Sequence, residues 1–275
     1  MHIVGEDLNM LIRKIPSGHI IRDLRNTLIP SGEVGEYIKS MNSRIEKIRD
    51  SERKSHTSIY SSETLYSSDS WLKKPIKTVQ ELVPHFKGYN NLRVLDLGCG
   101  VGRNSIFIAD KFAENGCRID CVDILDIAID KLQVNSDELG VSDCIHVFVD
   151  TIEHYPIIIG TYDLIIAVSA LEHVESKEIF LNKLREIRDG IKTDGIVCLV
   201  INSDVREKNK ETLEDLEPQF EVNLSTKELQ SLIDDVFSEW KTIKRTVSYQ
   251  EYDIPRDDVT SHLTTNVVTY VGQKL

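Results

Sequence analysis

Residues 93–109 read RVLDLGCGVGRNSIFIA. The apolar pair Val94-Leu95, followed by Asp96-Leu97, predicts a buried parallel strand. Glycines alternate at Gly98, Gly100 and Gly102, and Ile106, Phe107 and Ala109 begin a helical pattern at once. A strand that turns so tightly into a helix brings backbone N–H groups and a positive helix end up to a ligand. The dinucleotide fingerprint is G-x-G-x-x-G, whose third glycine packs helix on strand. Here the spacing is G-x-G-x-G, and Arg103 stands where that third glycine would be. Asp96, two residues before the first glycine, would repel a pyrophosphate and suits an ammonium group. From the turn alone, an ordinary glycine-rich turn and a nicotinamide site stay open beside a cationic ligand.

Outward from this turn the pattern alternates strand and helix, as in a βαβ sheet. Strands are predicted at 93–97, at 118–122 ending on Asp123, at 145–149 ending on Asp150, at 162–168 and at 195–201. Helices are predicted at 102–115 and 125–139. A third starts from the N-cap Ser176 and ends at Arg188. A fourth opens on the Ser225/Glu228 capping box and reaches about Phe237. Final strands are expected near 240–249 and 266–272. With no helix between them they would pair as a hairpin.

Toward the N-terminus, Pro75 starts a helix to about Phe86 with Ile76, Val79, Leu82 and Val83 as its apolar face. Val34, Tyr37, Ile38, Met41, Ile45 and Ile48 recur at helical spacing, which predicts a helix over 31–54. Shorter amphipathic sets begin at Leu8 and near His19 and stop before Pro16 and Pro30. Residues 55–70, SHTSIYSSETLYSSDS, predict a loop that carries Tyr60 and Tyr66 into Trp71. Its aromatic residues read as a lid that excludes water and faces a cation, or as anchors of a surface loop. The chain thus divides into a helical N-terminal extension and lid segment, 1–70, and an α/β domain, 71–275.

Composition bounds the function classes. Of 275 residues, 40% are apolar and 28% charged, an ordinary soluble balance. No apolar run approaches the ~18 residues of a membrane span, and the N-terminus lacks a signal-peptide pattern. The five cysteines form no CxxC pair, so neither a metal knuckle nor a disulfide framework is indicated, and a cytoplasmic location fits. Residues 1–90 carry a net charge of +3 and the remainder −15. The larger part would repel nucleic acid.

D-L-G-C-G-x-G after a hydrophobic strand, at 96–102, resembles motif I of the class I S-adenosylmethionine-dependent methyltransferases. The resemblance covers about 75–275. It implies an α/β, Rossmann-like, seven-stranded, mostly parallel sheet of order 3-2-1-4-5-7-6, with strand 7 antiparallel, flanked by helices. It also implies S-adenosyl-L-methionine as cofactor and S-adenosyl-L-homocysteine as product. Asp96, Gly98, Cys99, Gly100, Gly102 and Asn104 would surround the methionine end. Asp123, with Ile124, would take the ribose hydroxyls. Asp150, with the N–H of Thr151 or Ile152, would read the adenine. Ligands in open α/β sheets bind beyond the carboxyl ends of the strands, and these three aspartates sit at successive strand ends.

Residues 167–174, AVSALEHV, fall where the family places the segment between cofactor and acceptor, beginning beside Val168. Their ending resembles the L-x-H-V of small-molecule methyltransferases. The [DN]-P-P-[YF] run of nucleic-acid and protein N-methyltransferases is absent. His173 is a candidate base or substrate contact, or else a helix-start histidine bonded to backbone. Gly100 to Ser105, G-V-G-R-N-S, resembles the loop of tellurite-resistance and thiopurine-type methyltransferases, which act on soft nucleophiles. Tyr252 and Arg256, with Tyr249 and His262, are expected in the strand 6–7 connection, where an arginine could hold an anionic substrate. The implied activity is methyl transfer to a small-molecule acceptor by in-line displacement, by a monomer or homodimer. A nucleic-acid or protein methyltransferase and a non-catalytic S-adenosylmethionine-binding protein are the alternatives.

Overall fold

The computed structural model describes residues 31–68, 70, 72–256 and 259–275. The short helices expected before Pro30, and Trp71, lie outside the described residues. Packing divides the chain into two units, Met1–Lys47 and Ile48–Leu275. The described part of the first is the opening of helix α1, Ser31–Ser62. The second holds the rest of α1 and everything below.

The sheet is built from β1 (Leu92–Leu97), β2 (Cys117–Asp123), β3 (Ile145–Val149), β4 (Tyr162–Val168), β5 (Ile191–Asn209), the two-residue β6 (Asp215–Leu216), β7 (Lys241–Arg256) and β8 (Val259–Gln273). Their spatial order is β3-β2-β1-β4-β5-β8-β7, with β6 paired to β5. The first five are mutually parallel, and β8 runs antiparallel between β5 and β7. This is the order the resemblance implied, with β6 as a small addition. Val94, Leu95 and Leu97 of β1 and every residue of β4 from Tyr162 to Ala167 are buried, as central parallel strands covered on both faces must be. The covering helices are α2 (Lys77–Leu82), α3 (Ser105–Phe112), α4 (Asp126–Glu138), α5 (Lys177–Gly190) and α6 (Thr226–Val236). Ser176 Oγ accepts from Ile179 N and Ser225 Oγ from Glu228 N, so both expected caps form. Among the described residues no helix is long and apolar enough to cross a membrane.

Two segments differ from the sequence reading. Residues 55–62 are not a loop but the last turns of α1. Ile59 and Tyr60 pack with Leu72, Val101, Leu125 and Ala128, and this tertiary burial overrides the weak helix propensity of the serines and threonine. Tyr249, Tyr252, Arg256 and His262 are likewise not in a connection. The β7–β8 ladder continues unbroken to Arg256 opposite Val259, which places all four on paired strands. Residues 250–256 of β7 are exposed or half-buried, and the buried face of β8 opposite them is Ser261, Leu263 and Thr265, so its alternation in burial is not an alternation of apolar residues that sequence could show.

Candidate functional site

The parallel register sets Asp123 beside Val149 and Leu97 beside Ala167, so β1 to β4 end along one edge of the sheet. A cavity of about 280 Å³ opens there. Its floor is the turn at Gly98, Cys99, Gly100 and Val101, with Arg103 and Asn104 beyond it. Asp123, Ile124 and Leu125 form one side, Thr151, Ile152 and Glu153 a second, and Val168, Ser169, Ala170 and His173 a third. Arg49, Glu52, Arg53, His56 and Tyr60 of α1 complete it, with Leu72 and Glu221.

The turn answers the question of ligand charge. Gly98 N and Cys99 N both donate to Val122 O, at 2.8 and 3.1 Å, and Gly100 N donates to Asp123 Oδ2 at 2.9 Å. Its first three amides are therefore spent on β2. What it offers a ligand is carbonyl oxygen and close approach, which suits an ammonium group and not a phosphate. Close approach is built in. Gly98 has φ +71°, and a Cβ on it would lie 2.4 Å from Ala170 Cβ. Gly100 has φ +53°, and its Cβ would lie 3.0 Å from the Tyr60 hydroxyl.

The aspartates have distinct surroundings. Asp96 is behind the wall, 1% exposed, and accepts from Ser105 Oγ. Burial raises its pKa to about 6, against the opposing Ser105 bond. Asp123 faces the cavity with Oδ1 accepting from Leu125 N at 2.9 Å and Oδ2 from Gly100. Each oxygen keeps a lone pair for a ribose hydroxyl. Burial raises its pKa too, which the two backbone donors oppose. Asp150 does not line the cavity. Its Oδ1 accepts from Thr151 N at 2.8 Å, so of the two amides expected to meet an adenine nitrogen, Ile152 N is the one left to do so. Ile124, 37% exposed, and the half-buried Ile152 supply apolar surface for a ring.

Other expected residues fall to structural roles. Gly102, also off the cavity, has φ +88°, and a Cβ there would strike Leu132 at 2.1 Å. Asn104 lines the cavity, but its Oδ1 accepts from Ile76 N at 3.1 Å, holding the chain ahead of α2. With Ser105 bonded to Asp96, two of the three residues in the Arg103-Asn104-Ser105 resemblance are occupied inside the protein. Tyr66 is behind the turn, its hydroxyl donating to Arg103 O at 2.8 Å. Tyr252 is 47% exposed on β7, away from the cavity. Arg256 is neither in a connection nor in the cavity. It pairs with Glu207 at 3.2 Å and Glu52 at 3.1 Å, so it staples β7 to α1.

His173 ends a 3₁₀ turn, Leu171–His173. Its Nδ1 lies 2.9 Å from Glu221 Oε2, and its ring stacks on Phe220 at 5.1 Å and 24°. The Glu221 side chain is 1% exposed. Burial pushes the imidazole pKa down, but the Glu221 bond and the carboxylates of Glu52 and Glu172 outweigh it and raise it to about 9. The partner segment is fixed in turn, since Val222 N donates to Glu172 O at 2.9 Å.

Tyr60, named as a lid candidate, lines the cavity, whereas sequence reasoning missed the rest of the α1 wall and Glu221. Arg49, Glu52, Arg53, His56 and Tyr60 recur at i, i+3, i+4, i+7 and i+11, one helix face, but charged residues on a helix read as its solvated side. Arg49 faces Glu153 at 2.5 Å, Glu175 at 3.5 Å and Glu221 at 3.6 Å, tying α1 to three loops. Glu52 accepts from His56 at 3.1 Å. Burial raises the Glu52 pKa, but His56, His173 and Arg256 bring it to about 2. His56 Nδ1 is buried without a hydrogen-bond partner among the described residues and belongs to a ring that lines the cavity. Glu221 is 48 residues from His173, and no local pattern marks it. These groups fit S-adenosylmethionine: an acid for the ribose, apolar surface for the adenine, and a turn whose first three amides are already engaged for a cationic amino-acid end.

Comparison with known proteins agrees. Residues 94–195 match the model of a family described as a methyltransferase domain. A stretch of 121 residues is 29% identical to the ubiquinone biosynthesis O-methyltransferase of Rickettsia canadensis, covering 44% of this chain and 47% of the relative. The Rickettsia felis protein of the same name is 28% identical over 106 residues, covering 38% and 41%. The chain thus spans less than half the length of these relatives. Among solved structures, a Methanosarcina mazei S-adenosylmethionine-dependent methyltransferase superposes with a TM-score of 0.53 at 16% identity, over 74% of this chain and 99% of the other. The YcgJ protein of Bacillus subtilis gives 0.51 at 16% identity, over 72% and 97%. At such identity these two show the fold.

Proposed function

We propose that this chain, which belongs to the class I S-adenosylmethionine-dependent methyltransferase family, transfers a methyl group to an oxygen of a small-molecule acceptor. S-adenosylmethionine supplies the electrophilic methyl group. Gly98, Gly100, Asp123, Ile124 and Ile152 hold it, and α1 closes the cavity against water. The observation that carries the acceptor class is the His173–Glu221 pair inside that cavity. With Nδ1 held by a buried carboxylate, Nε2 of the neutral ring can take a proton, and Glu221 stabilises the imidazolium that results. A hydroxyl acceptor needs this. Its proton passes to His173 as its oxygen bonds the methyl carbon, and the electron pair of the broken carbon–sulfur bond stays on sulfur. A thiolate or chalcogen oxyanion, the acceptors suggested by the Arg103 loop, would not need it. That the two Rickettsia relatives are named O-methyltransferases supports the reading.

The acidic balance of residues 91–275 and the lack of a [DN]-P-P-[YF] run argue against nucleic-acid or protein acceptors. The cytoplasm is the compartment that keeps its five cysteines, all free thiols, reduced. Incubation with S-adenosylmethionine and a panel of phenolic, thiol and amine acceptors tests the proposal by mass spectrometry. Methylated phenols that vanish in His173→Asn are expected. Turnover of thiols alone, indifferent to His173, would overturn the oxygen assignment. Binding without turnover of any acceptor would favour the non-catalytic alternative.

A further inference from the structure

Among the described residues the sheet ends on β7, and nothing pairs with the other side of that strand. β8 is the strand paired with it among the described residues. Five consecutive residues, Arg245 to Tyr249, are exposed, with Arg245 held to Asp234 and Gln230 of α6. Val247 is 43% and Tyr249 63% exposed. Long open edges template pairing with another chain, and proteins blunt them with bulges, prolines and inward charges. β7 is blunted only at its ends, by a register shift between Thr242 and Lys244 and by Pro255. The window between is unguarded.

That window is complementary to itself. Let a second copy lie antiparallel with Ser248 opposite Ser248. Arg245 then faces Glu251, Val247 faces Tyr249, and Thr246 faces Gln250, each pair occurring twice about the two-fold axis. Opposite residues have the same parity, so their side chains share a face, and the two sheets join into one. Opposite charges and aromatic–β-branched pairs directly across an antiparallel ladder are the favourable combinations. Sliding by one pair in either direction loses them. One shift sets Arg245 against Tyr249 and Glu251 against Ile243; the other sets Val247 against Glu251. The register is therefore specified by the side chains, as a closed isologous interface requires.

We propose that β7 is a homodimer interface, pairing antiparallel with β7 of a second copy about Ser248. Within one chain Arg245 pairs bidentately with Asp234 of α6 and Tyr249 donates to Glu251, so the Arg245–Glu251 pairing across the two-fold axis is shared with these contacts. The proposal does not depend on the acceptor.

Light scattering over a wide concentration range tests it on the full chain. The expected mass is twice the 31.3 kDa of one chain. Val247→Lys/Tyr249→Lys should give a monomer with a nearly unchanged melting profile at low concentration, because both side chains are exposed and outside the core. Ser248→Cys should cross-link to itself under mild oxidation, with Cβ atoms about 4.5–5.5 Å apart. Thr246→Cys, which would face Gln250, should not, and the wild type controls for its native thiols. A wild-type monomer at every concentration would overturn the proposal. So would a dimer that survives the double lysine variant, or cross-linking in the Thr246→Cys variant and not in Ser248→Cys.

Discussion

The His173–Glu221 pair predicts that rate and stability move in opposite directions with pH. The folded-state pKa of His173 is raised from 6.5 to about 9, a shift of some 2.5 pH units. At 1.36 kcal/mol per unit, the protonated ring stabilises the fold by about 3 kcal/mol. A raised folded value means this contribution is complete below pH 6.5 and is lost as pH climbs through 9. Relative to His173→Asn, whose side chain does not titrate, the wild type should lose up to roughly 6–12 °C of melting temperature over that window. The rate runs the other way. Only the neutral ring accepts a proton, so about 1% of the enzyme is competent at pH 7, and kcat/KM should rise about tenfold per pH unit until it levels near pH 9. A phenolic acceptor that ionises itself could mimic the rise, and Glu221→Gln separates the cases. Loss of the carboxylate lowers the His173 pKa and moves the rising limb to lower pH, whereas substrate ionisation would leave it in place. The assay is initial-rate methyl transfer across pH 6–10 beside thermal melts in the same buffers. A flat kcat/KM with a hydroxyl acceptor, or a limb unmoved by Glu221→Gln, would refute the assignment of His173 as base.

Asp96→Asn should be more stable than wild type at pH 8, by up to about 3 kcal/mol, since a buried carboxylate with a pKa raised to about 6 is ionised at a cost there. The gain should shrink as pH falls through 6 and vanish near pH 4, as melts across that range would show. Gly98→Ala should abolish cofactor binding, measured by titration calorimetry, because its Cβ would meet Ala170 at 2.4 Å from a φ of +71°. Arg49→Met leaves the buried Glu153 and Glu221 without their shared cation. It should speed amide exchange in 48–62 and weaken cofactor affinity with the sheet intact, as hydrogen-exchange mass spectrometry would resolve.

The sequence made legible whatever is decided locally. A buried strand followed by alternating glycines has few other readings, and Ser176 and Ser225 announce caps through their own neighbours. Asp123 was expected at the cavity, and lines it, because strand ends in a parallel sheet share an edge. The failures share a cause as well. Residues 55–62 look like a loop by propensity, and burial of Ile59 and Tyr60 on a distant cluster makes them helix. β7 and β8 extend further than expected because the buried positions of the extension, Ser261, Leu263 and Thr265, are mostly polar and show no hydrophobic alternation. Asn104 and Ser105 matched a ligand loop by type, yet their partners, Ile76 and Asp96, are inside the protein. Glu221 depends on a contact across 48 residues. Residue identity carried the chemistry, and long-range packing decided which residues line the cavity.

Titration calorimetry with S-adenosylhomocysteine, on the wild type and Asp123→Ala, tests the cradle most directly. One site per chain is expected in the wild type, with a rise in melting temperature of roughly 5–10 °C at a hundredfold excess over Kd. Asp123→Ala, which loses the ribose acceptor, should remove both signals while keeping the fold. Heat from NADH but none from S-adenosylhomocysteine, or full affinity in Asp123→Ala, would contradict the assignment of this turn and this aspartate to the cofactor.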